Sequence, residues 1–232
     1  MIDYTNRSQA QTSTYDEGLR AHMLKVYNYM ATGLGISGLF AYLFMTVPAI
    51  QEPIMALKWV WLIGIIAMAF LVLPRMMSMT EAGAKMAFYG YAVLLSISIA
   101  PIFLIYTGES VARTFFITAS VFLGMSLYGY TTKKDLTSLG MFAMIGVLGV
   151  FFASLINIFI GSSTIHFITS AVAVIASIAL TAYDTQKIKQ MYYYFGNNAS
   201  MAGKAAVMGA LQLYFDFVYM FINLLQFIGD RR

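Results

Sequence analysis

Seven apolar stretches, each about as long as the hydrocarbon core of a bilayer is thick, account for most of this 232-residue chain. A membrane-spanning helix needs about 20 predominantly apolar residues. Only 10% of the residues are charged, whereas a soluble domain carries roughly a quarter. These features exclude a soluble globular protein and predict an all-α integral membrane protein, a seven-helix transmembrane bundle. The stretches run over 26–47, 57–77, 85–106, 112–130, 138–160, 165–185 and 206–228.

Short polar connections separate the stretches and divide the chain into two predicted parts. Residues 1–25 are polar and are expected to form a cytoplasmic tail, and residues 26–230 are expected to form the seven-span transmembrane domain. Prolines mark some of the connections, such as the segment from Pro48 to Pro53. The longest predicted loop extends from Lys187 to Lys204.

The distribution of cations predicts the orientation, because Lys and Arg are retained on the cytoplasmic face of a membrane. Ten of the fourteen lie on the side of the N-terminus and four on the other side. We therefore expect a cytoplasmic N-terminus and, after seven spans, an external C-terminus. The ten are Arg7, Arg20, Lys25, Arg75, Lys85, Lys133, Lys134, Lys187, Lys189 and Lys204, and the four are Lys58, Arg113, Arg231 and Arg232.

Composition also excludes several kinds of function. The chain has no cysteine, so neither a thiolate metal site nor Cys-based catalysis can be present. The cations are dispersed along the chain and form no basic stripe, which argues against nucleic acid as a partner. His22 and His166 are predicted to lie on opposite sides of the membrane, so they cannot form a two-His metal site. No bound cofactor is expected.

Two acids, Asp184 and Asp216, lie inside predicted spans, where an ionisable group is costly and marks a functional candidate. Asp216 belongs to a polar stripe that follows one face of the last span at spacings of three and four residues. Such a helix suits the centre of the bundle or the wall of a water-accessible cavity. The stripe consists of Ala205, Gly209, Gln212, Asp216, Tyr219, Asn223, Gln226 and Asp230.

The sixth span carries a second stripe of small and polar residues that ends at Asp184. Two such stripes on consecutive antiparallel helices are expected to face each other. With the seventh span anchored at Asp230 and the sixth at Lys187, Asp216 lies about 9 Å and Asp184 about 5 Å below the cytoplasmic interface. Anchoring the seventh span at Lys204 instead moves Asp216 toward the midplane. The second stripe consists of His166, Ser170, Ala173, Ser177, Thr181 and Asp184.

Two carboxylates close together in a dry site cannot easily both ionise, so Asp184 and Asp216 are expected to share a proton and to titrate as one unit. Carboxylate oxygens also bind hard divalent cations, which would compete with that proton. The pair is therefore a candidate proton sensor and a transient calcium site, with calcium as a permeant ion. A hydrogen bond that merely holds two helices together is the alternative. The other candidates, which would line a pore for the ion, are Gln212, Tyr219, Asn223, Ser177 and Thr181.

The residues around both acids resemble the Bax inhibitor family, in its bacterial branch. The resemblance rests on Thr181-Ala182-Tyr183-Asp184-Thr185-Gln186-Lys187-Ile188-Lys189, on Ala210-Leu211-Gln212-Leu213-Tyr214-Phe215-Asp216-Phe217, and on Lys133-Lys134-Asp135-Leu136. It implies a seven-helix bundle with the last helix central, a pH-sensitive aspartate pair and a calcium leak in a bacterial inner membrane. It further implies that Arg75 is a basic residue that latches the pair in one state, whereas an interfacial anchor is the simpler interpretation of a helix-end arginine.

Two other function classes remain as alternatives. The bacterial relatives are associated with a membrane-anchored ATP-dependent protease, so the chain is also interpreted as a non-conducting regulator that binds such a protease. An acid on each of two spans is found in intramembrane aspartyl proteases as well. Here Leu213-Tyr214-Phe215 precedes the second acid in place of a Gly-x-Gly turn, and no Pro-Ala-Leu follows. We therefore do not expect an enzyme.

Overall fold

The computed structural model describes the backbone of residues 4–232 and the side chains from Glu17 onward. Within that part of the chain the secondary structure consists of eight α-helices and shorter helical turns, without a β-strand. The helices are α1 (Tyr4–Thr46), α2 (Pro48–Ala56), α3 (Lys58–Ala67), α4 (Glu81–Ile99), α5 (Gly108–Thr131), α6 (Thr137–Ile160), α7 (Ser163–Phe195) and α8 (Ala199–Ile228).

Among the described residues, seven helical segments are long and apolar enough to cross a membrane. The second of them, Lys58–Ser78, combines α3 with a π-helical turn at Met68–Val72 and a 3₁₀ turn at Leu73–Ser78. Pro74 has no amide hydrogen to donate, which interrupts the α-helical hydrogen bonds at this point. The predicted all-α membrane bundle with seven spans is confirmed.

Two predicted connections are wrong in extent. The loop expected from Lys187 to Lys204 is largely helical, because α7 continues to Phe195 and α8 begins at Ala199. The connection expected at Pro48 to Pro53 lies within the short helix α2. A helix satisfies its backbone groups internally, so it need not end where the apolar stretch ends. Apolar length predicts a span, not the end of a helix.

The first helix also begins before its apolar stretch. α1 starts at Tyr4, and Leu19, His22 and Met23 are already buried against the bundle. Packing of α1 thus begins ahead of residue 26. The cytoplasmic location of residues 1–25 stays a prediction.

The last helix lies at the centre of the bundle. α8 packs against α1, α4, α5 and α7, and 72% of its most apolar stretch is buried, compared with 11% for α6. Small residues permit this close packing: a Cβ atom added to Gly209 would lie 3.0 Å from the Ile188 side chain of α7. The predicted central position of the last helix is confirmed.

One end of the bundle is held by ionic contacts to Glu81, and we call it the Glu81 end. Lys25 of α1 and Lys85 of α4 each place an ammonium group 2.9 Å from Glu81 Oε1, and the Tyr29 hydroxyl donates to the same oxygen at 3.1 Å. Gly203 of α8 also lies there, because a Cβ atom at this position would overlap the Glu81 carboxylate. The middle of α1 and the beginnings of α4 and α8 therefore meet at this end.

The opposite end is closed by the C-terminal residues, and we call it the Asp230 end. Thr107 donates its amide to the Asp230 carbonyl at 3.1 Å, and Arg232 donates its amide to the Ile105 carbonyl at 2.9 Å. The Arg113 guanidinium lies 2.7 Å from the Asp230 carboxylate. Lys25 and Arg232 thus lie at opposite ends of the bundle, as an odd number of spans requires.

Candidate functional site between α7 and α8

The two polar stripes face each other across the interface of α7 and α8. Toward the Asp230 end, Ser170 Oγ donates to Gln226 Oε1 at 3.4 Å. Deeper in the bundle, Gln212 Nε2 donates to Asp184 Oδ1 at 2.6 Å. The structure thus brings together residues that the sequence placed on separate helices.

The carboxyl groups of Asp184 and Asp216 lie close enough to interact electrostatically. Both residues are buried, with relative exposures of 4% and 7%. Asp216 Oδ2 is fully buried and accepts no hydrogen bond from the described part of the chain. A proton on one of two neighbouring buried carboxyl groups removes the repulsion between their charges. The geometry therefore fits a pair that holds a shared proton.

The α7 segment around Asp184 is held in place by three neighbours. Gly129 of α5 and Gly140 of α6 make room for it, because a Cβ atom at either position would overlap the Ala182 carbonyl or the Tyr183 ring. On a third side, Gln186 reaches the loop between α5 and α6. Its side chain accepts from the Leu136 amide at 2.9 Å and donates to the Lys134 carbonyl at 2.8 Å.

A side chain of that loop also forms hydrogen bonds with Thr137, the first residue of α6. Asp135 Oδ1 accepts hydrogen bonds from the Thr137 hydroxyl at 2.6 Å and from the Thr137 amide at 2.9 Å. Both bonds favour the ionised carboxylate and hold the pKa of Asp135 below its ordinary value. The loop against α7 is therefore ordered by its own side chains as well as by Gln186.

A chain of hydroxyl groups approaches α7 from the side of α1. The Tyr27 hydroxyl lies 2.6 Å from Ser126 Oγ, and Ser126 Oγ lies 2.9 Å from Thr185 Oγ1. Thr185 follows Asp184 directly in the sequence. Sequence analysis did not single out these hydroxyls, because the partners are 99 and 59 residues apart and no local pattern joins them.

The α8 segment around Asp216 is packed among aromatic rings. Tyr214 is fully buried and its hydroxyl lies 2.8 Å from Ser37 Oγ of α1. Phe215 packs edge-on against Tyr91, with ring centroids 5.0 Å apart, and Phe217 packs against Phe122 at 5.5 Å. These contacts set the rotation of α8 about its axis and direct Asp216 toward α7.

The remaining predicted lining residues bond to their own helices. The hydroxyls of Ser177 and Thr181 donate to backbone carbonyls three and four residues earlier, at 2.8 Å in both cases, and both residues are fully buried. Asn223 donates to the Tyr219 carbonyl at 2.8 Å, while Tyr219 itself is partly buried. Because Ser177 and Thr181 are fully buried and bonded within α7, the α7 side of the stripe next to the aspartates is closed to water in this structure.

A tight apolar contact lies on the other side of the aspartates. Ile188, one helical turn after Asp184, is fully buried and lies against Gly209, two turns before Asp216. This contact separates the carboxyl groups from the Glu81 end. The sequence placed Gly209 on the stripe, whereas Ile188 gave no signal because apolar residues are common in every span.

A polar cavity of about 470 Å³ lies at the Asp230 end of the same interface. Gln226 and Ser170 line it and belong to the two stripes, and Arg231 contributes a cation. His166 also lies on its wall. The cavity is therefore a recess that leads toward the closed part of the stripe.

Arg75 is not brought to the aspartates in this structure. Its guanidinium is exposed and donates to the Leu71 carbonyl of its own helical turn. Lys204 of α8 binds the neighbouring Met77 carbonyl at 2.9 Å, so this region contacts α8 through its backbone. A latch between Arg75 and the pair stays a prediction that concerns another conformation.

Comparison with known proteins gives the family. A family model described as inhibitor of apoptosis-promoting Bax1 matches residues 19–232, which include both aspartates. The chain belongs to the Bax inhibitor family. The inner membrane protein YbhL of Escherichia coli strain K12 is 37% identical over 93% of this chain and 94% of its own length. Proteins described as uncharacterized from Rickettsia prowazekii and Caulobacter vibrioides are 44% and 40% identical over 100% and 94% of the chain, and over 100% and 91% of their own.

Membership of the Bax inhibitor family confirms the resemblance carried by the two aspartate motifs. In this chain both motifs form the α7 and α8 walls of one buried site. The loop Lys133-Lys134-Asp135-Leu136 is joined to the same site by Gln186. The segments that carry the resemblance therefore contact one another at one site in the folded chain.

Proposed function

We propose that this multi-pass membrane protein is a pH-sensitive calcium leak channel of a bacterial inner membrane, gated by Asp184 and Asp216. The similarity to the inner membrane protein YbhL supports the choice of membrane. The observation that carries the proposal is the buried carboxyl pair, whose Asp216 Oδ2 accepts no hydrogen bond from the described residues. Gain or loss of a proton there changes the charge of a dry interface between two helices.

Calcium suits this site because hard cations prefer carboxylate and amide oxygens. Among the described residues no group of three or more His, Cys, Asp or Glu side chains is arranged to hold a metal. An ion at Asp184 and Asp216 would therefore keep several of the roughly six to eight oxygen ligands it needs as water. Weak, partly hydrated binding is what permeation requires, since a permeant ion must also leave.

The proposed path follows the interface of α7 and α8. It enters at the polar cavity beside Gln226, continues along the stripe through Thr181, reaches the carboxyl pair and leaves past Ile188. In the closed conformation the hydroxyls along the stripe bond to backbone carbonyls, and Ile188 fills the space over Gly209. Opening requires α7 and α8 to separate along this interface.

The test is calcium flux into liposomes that contain only this protein, followed with an entrapped calcium indicator across a pH range. Wild type should show a pH-dependent flux, and Asp184→Asn and Asp216→Asn should each shift or remove that dependence. Because one protonation unit is lost in either case, the double variant should resemble a single variant. Glu52→Gln is the matched control, an exposed acid of α2 outside the site, and should behave as wild type.

Two outcomes would contradict the proposal. One is the same pH profile for wild type, both single variants and the double variant. The other is the absence of flux at any pH from protein that remains folded. Either outcome would favour the non-conducting regulator of a membrane-anchored ATP-dependent protease.

A further inference from the structure

A cavity of about 380 Å³ lies between α1 and α5, away from the aspartate site. Its wall is almost entirely apolar, apart from a few hydroxyl groups and one guanidinium. We call it the α1–α5 cleft, and its lining includes Arg20, Met23, Leu24 and Tyr27 of α1 and Ser126 and Tyr130 of α5.

The cleft opens sideways toward the surface that faces the bilayer. Leu24 on one wall is 53% exposed, and Leu123 and Leu127 on the other are 64% and 63% exposed. Exposed leucines on spanning helices contact acyl chains, so the molecules that reach this opening are membrane lipids. A water-soluble ligand would meet an apolar wall on both sides.

Two cations lie at one end of the cleft. Arg20 is exposed and makes no ion pair with a side chain that the structure describes. Lys189 of α7 donates to the Tyr130 carbonyl at 2.9 Å and lies 5.5 Å from the centre of the Tyr130 ring. Among the residues whose side chains the structure describes, no acidic residue lines this cleft. The charge at this end therefore complements an anion.

We infer that the α1–α5 cleft binds an acidic phospholipid, with its phosphate beside Arg20 and Lys189 and an acyl chain along Met23, Leu24 and Leu123. Basic residues at the ends of spanning helices attract acidic headgroups, and an apolar cleft below them accepts the chain. The cleft is also connected to the aspartate helix, since Tyr27 and Ser126 line it and Ser126 bonds to Thr185 of α7. Lipid binding does not depend on the proposed calcium flux.

The test uses the full-length protein in an uncharged detergent and measures bound lipid by native mass spectrometry. Phosphatidylglycerol and phosphatidylcholine with identical acyl chains are the two probes. Wild type should bind phosphatidylglycerol more tightly. The double variant Arg20→Gln/Lys189→Gln should lose about fivefold in affinity per cation, or about 25-fold in all, toward phosphatidylglycerol alone. The matched control Lys133→Gln/Lys134→Gln removes two exposed cations outside the cleft and should bind as wild type.

A second variant fills the cleft without changing charge. Leu123→Trp places a large ring among the exposed side chains of α5 and should abolish binding of both lipids at this site. Leu148→Trp makes the same change on the lipid-facing side of α6, where Leu148 is 53% exposed, and should leave binding intact. Equal affinity of wild type for the two lipids, equal losses in the two charge variants, or full binding by Leu123→Trp would each overturn the inference.

Discussion

At the scale of single residues, the two carboxyl groups of the site differ in their partners. Asp184 accepts a short hydrogen bond from the Gln212 amide, whereas Asp216 Oδ2 accepts none from the described chain. The amide favours negative charge on Asp184, and the neighbouring carboxyl opposes negative charge on Asp216. Gln212 therefore helps to decide which of the two carries the shared proton.

Replacing Gln212 with Leu should move the midpoint of the flux profile to higher pH. Without the amide, the ionised form of the pair loses a charge-assisted hydrogen bond of about 1.5–3 kcal/mol, which corresponds to about one to two pH units. The measurement is liposomal flux against pH. Gln226→Leu removes a stripe amide from the other end of the interface and serves as the control. An unchanged midpoint, or the same displacement in both variants, would contradict this role of Gln212.

Arg75 presents a second prediction at this scale. If Arg75 reaches the carboxyl pair in another conformation, Arg75→Gln should raise the resting leak and Arg75→Lys should raise it less, because lysine keeps the charge but not the planar donor pair. The comparison is calcium leak at constant pH in liposomes with equal protein content. An unchanged leak in both variants would identify Arg75 as an interfacial anchor only, in agreement with its exposed position and its bond to the Leu71 carbonyl.

At the scale of helices, the interface of α7 and α8 combines a polar half with an apolar contact. In the polar half, the hydroxyls of Ser177 and Thr181 bond within α7, and the bonds of Gln212 to Asp184 and of Ser170 to Gln226 join the two helices. The contact of Ile188 with Gly209 is close, and packing of this kind is the main force between spanning helices in lipid. We therefore expect the closed state to depend on Ile188.

Ile188→Ala should increase the resting calcium leak about tenfold, equivalent to about 1.4 kcal/mol of lost packing in the closed state. The leak is measured in liposomes at the pH of lowest wild-type flux. Ile175→Ala is the control, since Ile175 lies on the same helix but is 67% exposed toward lipid. A leak that rises equally in both variants, or in neither, would mean that Ile188 does not seal the path.

At the scale of the whole molecule, contacts at the two ends hold the bundle together. At the Glu81 end an ionic cluster joins α1 and α4 beside the start of α8, and at the Asp230 end the C-terminal residues pair with the segment between α4 and α5. The aspartate site lies between these ends. Separation of α7 from α8 can therefore take place while both ends stay attached.

The orientation of the molecule gives the prediction at this scale. Since Lys25 and Arg232 lie at opposite ends of the bundle and cations are concentrated at the Glu81 end, we expect a cytoplasmic N-terminus and an external C-terminus. Reporter enzymes fused before Met1 and after Arg232 measure this directly. A reporter that requires the cytoplasm should be active only at the N-terminus. Cytoplasmic activity after Arg232 would contradict the predicted orientation.

The sequence by itself determined the number of spans, the all-α class and the faces that carry the site. Apolar length and helical period are local properties, so they can be read without knowledge of neighbouring helices. The spacing of Gln212 and Asp216 placed them on one face of α8, and Asp184 ended a similar face on α7. The match of these faces across one interface was expected because consecutive spans are antiparallel and joined by one loop.

Only the tertiary structure decided which distant residues meet these faces. The fit of Ile188 over Gly209, the hydroxyl chain from Tyr27 to Thr185 and the cluster around Glu81 each depend on how helices far apart in the chain are rotated and spaced. The apolar stretch also could not predict that α7 extends to Phe195, because a helix can continue past the residues that contact lipid. The rotation of each helix about its axis depends on its packing against all neighbouring helices, so it cannot be predicted from one local stretch of sequence.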